Sequence, residues 1–254
     1  MIAVKTKKHG IDFYRVWFAD RPFNKPGVIA YHQATFCPKK YDEFDTLLTD
    51  ITREPEQIKG DFAKNCRYKV NRAEREDVQI RFLDNEQITD DEIETFLSFF
   101  KTFWESKGNA FDRADEVRRD LKDYRDAGAL TFAIATVKGV DAVYHTYVYD
   151  EKRTRLLHSA SLYRLMDDEE SDSRNLIGMA NRYLHYADML HFKEKGLKTY
   201  DWGGAGRGED VINITEFKES FGGVPEKTYD FEEAKGFKAN AFKILVKLLD
   251  DALL

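Results

Sequence analysis

Cysteine is nearly absent from this sequence. Cys37 and Cys66 are the two in 254 residues, and with no C-x-x-C spacing they exclude a zinc ribbon and a disulfide framework. No run of about 18 uninterrupted apolar residues occurs, so no membrane-spanning helix is expected. The opening Met1-Ile2-Ala3-Val4-Lys5 meets a charge too early for a secretory leader. Also missing are a G-x-S-x-G elbow, a zinc-finger or RRM signature, an internal repeat and a low-complexity linker. Gly204-Ala205-Gly206-Arg207-Gly208 has the composition of a phosphate loop without its spacing. What is present suffices for a packed core: 42% hydrophobic and 14% aromatic residues, with well-mixed charges amounting to 34% and a net charge of -6. The expectation is a cytoplasmic protein of a reducing compartment, built as one large domain or one domain with an extension.

Charge is unevenly placed. Residues 1–77 carry a net +3 and the remainder -9. The excess lies between Lys59 and Arg75, where Phe62, Cys66, Val70 and Ala73 recur at helical spacing opposite Lys64, Arg67, Lys69 and Arg72. This predicts an amphipathic helix whose cations are either a solvated face or a phosphate contact. Before it, Ile11 to Ala19 and Val28 to Phe36 read as strands. After it, strand Val78 to Asp84 leads to a Thr89-capped aromatic helix and a second helix from Arg113 to Ala127. Leu130 to Val137, Ala142 to Tyr149 and Arg155 to Tyr163 then form an antiparallel meander. A long helix from Ser173 to Lys195, a strand at Leu197 to Trp202, a helix near Ile214 to Phe221, a strand at Lys227 to Phe231 and a helix from Phe237 complete the chain. The last helix carries an apolar stripe, Ile244, Leu245, Leu248 and Leu249, read as core or as the contact of a homodimer.

From Val78 the order β-α-α-β-β-β-α-β-α-β resembles the GNAT acyltransferase fold. Lys193-Glu194-Lys195-Gly196-Leu197-Lys198-Thr199-Tyr200-Asp201-Trp202-Gly203-Gly204 and Ile214-Thr215-Glu216-Phe217-Lys218-Glu219-Ser220-Phe221-Gly222-Gly223 resemble the C-terminal signature of Fem-type (FemABX-like) peptidyltransferases. Arg67 to Glu76 resembles the basic helix that this family carries before its core. The resemblance implies an α/β (α+β) GNAT-like fold with a mixed, centrally splayed sheet flanked by helices, plus an N-terminal β-β-α extension. Expected boundaries are 1–77 for the extension, 78–232 for the core and 233–254 for a terminal helix. This chain holds one core where characterised Fem-type enzymes pair two.

Acyl transfer to an amine needs donors for a developing oxyanion, a neutral amine, and a proton for the leaving group. The resemblance implies that the donors lie on a splayed parallel pair, here Arg155 to Tyr163 and Leu197 to Trp202. It places Lys218, after Phe217, at the reacting centre, to stabilise an oxyanion or polarise a phosphate; the plain alternative is an exposed helix lysine. Gly203 and Gly204 serve close backbone approach to substrate, or simply a tight turn. Asp201 orients the amine or accepts its proton, or pairs with Lys198 or Lys218. The start of the long helix offers a partial pyrophosphate motif in Arg174, Asn175 and Gly178. The acidic run Asp167 to Asp172 before it is a solvated loop, a weakening of coenzyme A binding, or an attraction for a cationic acceptor. Arg67, Lys69 and Arg72 are candidates for phosphates. His145 and His158 are each a general base or a hydrogen-bonded core histidine. His185 and His191 lie about 120° apart on their helix, so no metal is expected.

These features imply an N-acyltransferase, a transferase that moves an acyl or aminoacyl group to an amine. The co-substrate is acyl-CoA or aminoacyl-tRNA. The acceptor is a small molecule or precursor amine, cell-wall (peptidoglycan) or sugar-linked on resemblance alone. The alternative is a catalytically degenerate GNAT scaffold that binds a partner.

Overall fold

The computed structural model describes residues 1–76, 78–165, 171–206 and 212–252. Their contacts gather into two units, one formed by Met1–Thr46 with Glu226–Leu254 and the other by Leu47–Pro225.

In the first unit, β1 (Ile2–Lys8) pairs antiparallel with β2 (Ile11–Trp17), which runs parallel to β3 (Gly27–Ala34). β3 pairs antiparallel with β10 (Val224–Lys235). Beside β10 lies the first half of β4 (Asp42–Asp50), where Lys227 Nζ meets Glu43 at 2.8 Å and Thr228 Oγ1 donates to the Phe44 carbonyl. Alternation puts Tyr14, Val16, Ile29 and Tyr31 on one apolar face, closed by Phe231 stacked on Tyr31 at 4.4 Å. β1 and β4 thus add two strands to those expected at this end. The final helix, α7 (Phe237–Ala252), leaves Ile244 and Leu245 62% and 56% exposed, so these two are not core. The side chains of Leu248 and Leu249 lie outside the described residues.

The second unit holds what positions the site. α1 (Pro55–Gly60) is opened by a Glu54/Gln57 capping box with Pro55 in its first turn, and it stops at Gly60. The basic helix is therefore split, and α2 (Lys64–Arg75) carries Cys66, Val70 and Ala73 on its buried stripe. β5 (Gln79–Asp84) follows, then α3 (Asp90–Glu105), capped by Thr89 Oγ1 accepting from the Glu92 amide, and α4 (Ala114–Asp126). β6 (Leu130–Val137), β7 (Val140–Tyr149) and β8 (Arg153–Ser161) form the antiparallel meander. The 24-residue α5 (Ser171–Glu194) crosses back, and Gly196 at φ +84° turns the chain. β9 (Thr199–Gly204) lies between β8 and the second half of β4, and α6 (Ile212–Glu219) follows. The core joins Phe192, Tyr200, Trp202 and Phe221 to the stripes of α2 and α5. Among the described residues no helix is long and apolar enough to cross a membrane.

Candidate active site at the end of β9

β8 and β9 run parallel, and their ladder holds three pairs: Arg153 with Thr199, Thr154 with Tyr200, and Arg155 with Asp201. The ladder ends there, although β8 continues to Ser161 and β9 to Gly204. On its other edge β8 shifts register, because Thr146 faces His158 while Tyr147 faces Leu156. Leu157 is the extra residue of this bulge, a device that bends a strand and frees its backbone from the ladder.

A chain of polar contacts fixes the end of β9. Arg153 donates to Asp201 Oδ2 from Nη2 at 2.7 Å and from Nε at 3.0 Å, and the Gly203 amide donates to Oδ1 at 2.9 Å. Both oxygens of this fully buried carboxylate are thereby engaged, with Arg153 where the sequence suggested Lys198 or Lys218. Gly203 adopts φ +71°, and a Cβ there would lie 2.9 Å from the Leu156 carbonyl oxygen. Gly203→Ala is therefore expected to cost about 1–3 kcal/mol, measured by chemical unfolding; an unchanged midpoint would contradict the close approach of β8.

Lys218 lies on the inward face of α6, 9% exposed, and its Nζ donates to the Gly204 carbonyl at 2.5 Å. Burial first, then the nearby Arg155 guanidinium, push its pKa down to about 8, with Asp201 opposing. Thr215 steadies the approach of α6, donating to the Gly206 carbonyl at 2.7 Å and accepting from its amide at 3.1 Å. Phe217 packs against His185, ring centroids 5.6 Å apart. Lys218, Asp201, Gly203, Gly204 and Phe217 are thus brought together.

His145 sits behind them, fully buried. Its Nδ1 lies 2.7 Å from Asp188 Oδ2 and its Nε2 2.8 Å from Asn181 Oδ1, so both ring nitrogens are occupied. Tyr147 donates to the same Asp188 oxygen, and its hydroxyl lies 2.7 Å from that of Tyr200, which reaches His185 Nδ1 at 2.8 Å. Burial raises the Asp188 carboxyl above the usual carboxylate range and holds His185 well below the usual imidazole value. Donor atoms of His145, His185 and Asp188 lie within 4.8 Å of one another. Yet the two imidazoles stack at 4.1 Å, and a metal taking His145, His185 Nδ1 or Asp188 Oδ2 would displace the hydrogen bonds just described; Asp188 Oδ1 makes none. The set fits a hydrogen-bond network better than a metal centre. Asn181, His185 and Asp188 recur at spacings of four and three on α5, a polar stripe facing the core; sequence reasoning weighs His185 alongside His191 as metal ligands and does not join it to Asn181. His158, half-buried, lies 2.7 Å from Thr146 Oγ1, its pKa lowered to about 4 by desolvation and by Arg155 and Arg113.

The remaining candidates sit on α5 and α2. Arg174 and Gly178 meet at Tyr163: the guanidinium lies 4.7 Å over that ring, and a Cβ on Gly178 would touch it at 3.7 Å. Asn175 is exposed. On α2, Arg67 donates to the Gly60 carbonyl and Arg72 to Glu76, while Lys69 stands near Cys66. Most of the acidic run, residues 167–170, lies outside the described residues, as do Arg207 and Gly208.

A mixed sheet opened at a parallel strand pair, with a long helix before the second strand, defines the class of architecture. Solved structures agree. FemX aligns with a TM-score of 0.57 at 14% identity over 80% of this chain and 63% of that one. The C-terminal domain of a candidate lysylphosphatidylglycerol synthetase from Agrobacterium fabrum gives 0.50 at 14% identity, covering 86% and 71%. A conserved protein of unknown function from Bacteroides thetaiotaomicron gives 0.51 at 12%, covering 78% and 64%. The chain thus spans under two thirds of the FemX length, and its fold is Fem-like. No protein-family model and no curated protein matches it.

Proposed function

We propose that the protein is an N-acyltransferase that moves an acyl or aminoacyl group from a thioester or ester donor to an amine. The observation that carries this reading is Lys218, a buried cation held by the Gly204 carbonyl at the mouth of the β8–β9 split. A carbonyl entering the split meets backbone amides freed from the ladder and an ammonium in a site of low dielectric. Both stabilise the oxyanion that forms when the amine attacks. The carbonyl carbon gains the bond to nitrogen, and its bond to the sulfur or oxygen of the leaving group breaks. The nitrogen's proton leaves, and the departing thiolate or alkoxide takes one up. Asp201 serves as a brace, since its oxygens already hold Arg153 and Gly203. His145, closed in by Asp188 and Asn181, supports the wall through His185. The resemblance to Fem-type proteins favours aminoacyl-tRNA as donor, with acyl-CoA as the alternative, and a cell-wall or sugar-linked amine as acceptor.

Transfer from acetyl-CoA and from aminoacyl-tRNA to a panel of amines, followed across pH, tests the reading. Lys218 stabilises an oxyanion only while protonated, so the rate at saturating neutral amine should fall as pH rises through about 8. A rate that keeps climbing to pH 10 would remove the ammonium from the chemistry. Absence of transfer from both donors would favour the non-catalytic scaffold.

A further inference from the structure

The first unit holds a cavity of about 560 Å³, and every residue that lines it belongs to that unit. An irregularity of the sheet builds one side of it. Tyr229 faces Ala34 and Phe231 faces Tyr31, so His32 and Gln33 of β3 stand opposite the single Asp230 of β10. Gln33 is buried at φ +50°, a conformation that a non-glycine residue keeps only where its surroundings impose it. Asp230 does so: its Oδ1 accepts from the Gln33 amide at 2.7 Å, and its Oδ2 lies 3.4 Å from His32 Nδ1. Trp17 fixes the His32 ring further, stacking on it at 4.6 Å. The bulge thereby sets an imidazole and a carboxylate in the lining, beside the small side chain of Ala30. Lys40, Tyr41 and Asp42 line the cavity where the chain enters β4. The Tyr41 ring, 42% exposed, stands edge-on to Tyr229 at 4.9 Å. Glu232, also in the lining, is taken by Lys243 at 3.1 Å. Among the described residues neither Lys40 nor Asp42 forms an ion pair, with each other or with a third group.

We propose that this cavity binds a free amino acid as its zwitterion, the ammonium toward Asp42 and Asp230 and the carboxylate toward Lys40. An amine alone would leave Lys40 unanswered, and a carboxylate alone would leave Asp42 so. One zwitterion answers both with charge-assisted hydrogen bonds. The π face of Tyr41 adds attraction for the ammonium group. The volume falls within the ~300–1,000 Å³ of small-molecule sites, which leaves room for a large side chain beside Ala30 and the His32 ring. The inference goes beyond acyl transfer and does not rest on it.

Calorimetric titration of the full chain with phenylalanine, leucine, lysine and glutamate tests the proposal without requiring turnover. At least one should bind at millimolar concentration or below. Its amide, which lacks the carboxylate, and its N-acetyl derivative, which lacks the ammonium, should each bind at least tenfold more weakly. Asp42→Asn and Lys40→Gln should each weaken binding of the amino acid several-fold, and Tyr41→Ala should do the same. These three side chains are exposed, so the variants are expected to fold as the wild type does. Lys39→Gln, a neighbour outside the lining, should bind unchanged. If none of the four amino acids binds at millimolar concentration, the proposal falls. It falls equally if the amide or the N-acetyl derivative binds as tightly as the amino acid, since the site would then read one charge and not two. Equal binding by wild type, Asp42→Asn and Lys40→Gln would place the ligand elsewhere and overturn it too. Binding is read apart from transfer activity, so either reading can fail while the other stands.

Discussion

Lys218→Met should lower the turnover of N-acyl transfer by about a hundredfold to a thousandfold, the usual loss when one donor to a developing oxyanion is removed. Methionine keeps the length and apolar stem of lysine but not its charge. The variant is expected to fold better, and the sign follows from linkage. The pKa in the folded chain, about 8, lies below the ordinary 10.5, so the folded state binds this proton more weakly than the unfolded chain does. Below pH 8 the full cost of burying the ammonium is present; as pH rises from 8 to 10.5 the cost is relieved and wild-type stability climbs. Lys218→Met should remove that climb and be more stable near pH 7, by on the order of 3 kcal/mol, less about 1 kcal/mol for the lost bond to Gly204. Steady-state transfer assays and thermal melts at pH 7 and pH 10 measure both effects. Normal turnover would take Lys218 out of the reaction. A stability loss at pH 7 would mean that its hydrogen bond outweighs its desolvation.

The periodicity of the chain after Val78 made much of the fold legible, because each element there buries one regular face. β6 begins and ends at the residues expected of it, Leu130 and Val137, and α5 differs from expectation by two residues at its start and one at its end. β1 and β4 were harder to read. β4 opens with Asp42-Glu43-Phe44-Asp45, residues that are poor strand formers apart from the phenylalanine, and its extended form rests on neighbours 153 to 184 positions away. The same distinction holds within the site. Lys218 and the Gly203-Gly204 pair stand out by motif, but nothing local distinguishes a buried lysine from an exposed one on an eight-residue helix. Arg153 and Arg182 carry no motif. Arg153 finds Asp201 through the parallel register of β8 and β9, and Arg182 finds the Phe217 ring through the approach of α6 to α5. Such partnerships are properties of topology. The stripe of Asn181, His185 and Asp188 is the exception, since its spacing alone marks polar groups on a buried helix face.

Arg153→Met should destabilise the protein by about 3–5 kcal/mol, the cost of breaking a buried ion pair from one side. Asp201 is fully buried and Arg153 nearly so, and the guanidinium supplies both hydrogen bonds to Oδ2. Without it the carboxylate must ionise in a poorly hydrated place or take up a proton; both weaken its hold on the Gly203 amide. Replacing both partners, Arg153→Met with Asp201→Asn, should recover most of the loss, because a neutral amide still accepts from Gly203 and leaves no buried charge unanswered. Urea unfolding of the two single variants and the double variant measures the coupling. If the double variant is no more stable than Arg153→Met, the pair is not the brace. Activity should separate the roles further. The double variant keeps Lys218 and its Gly204 contact, yet the turn that aims them is looser. It should therefore retain the fall in rate near pH 8 at a lower maximal rate, whereas Lys218→Met should abolish the pH dependence itself. A brace alters how often the ammonium is in place, and only the ammonium sets the pH at which its charge is lost.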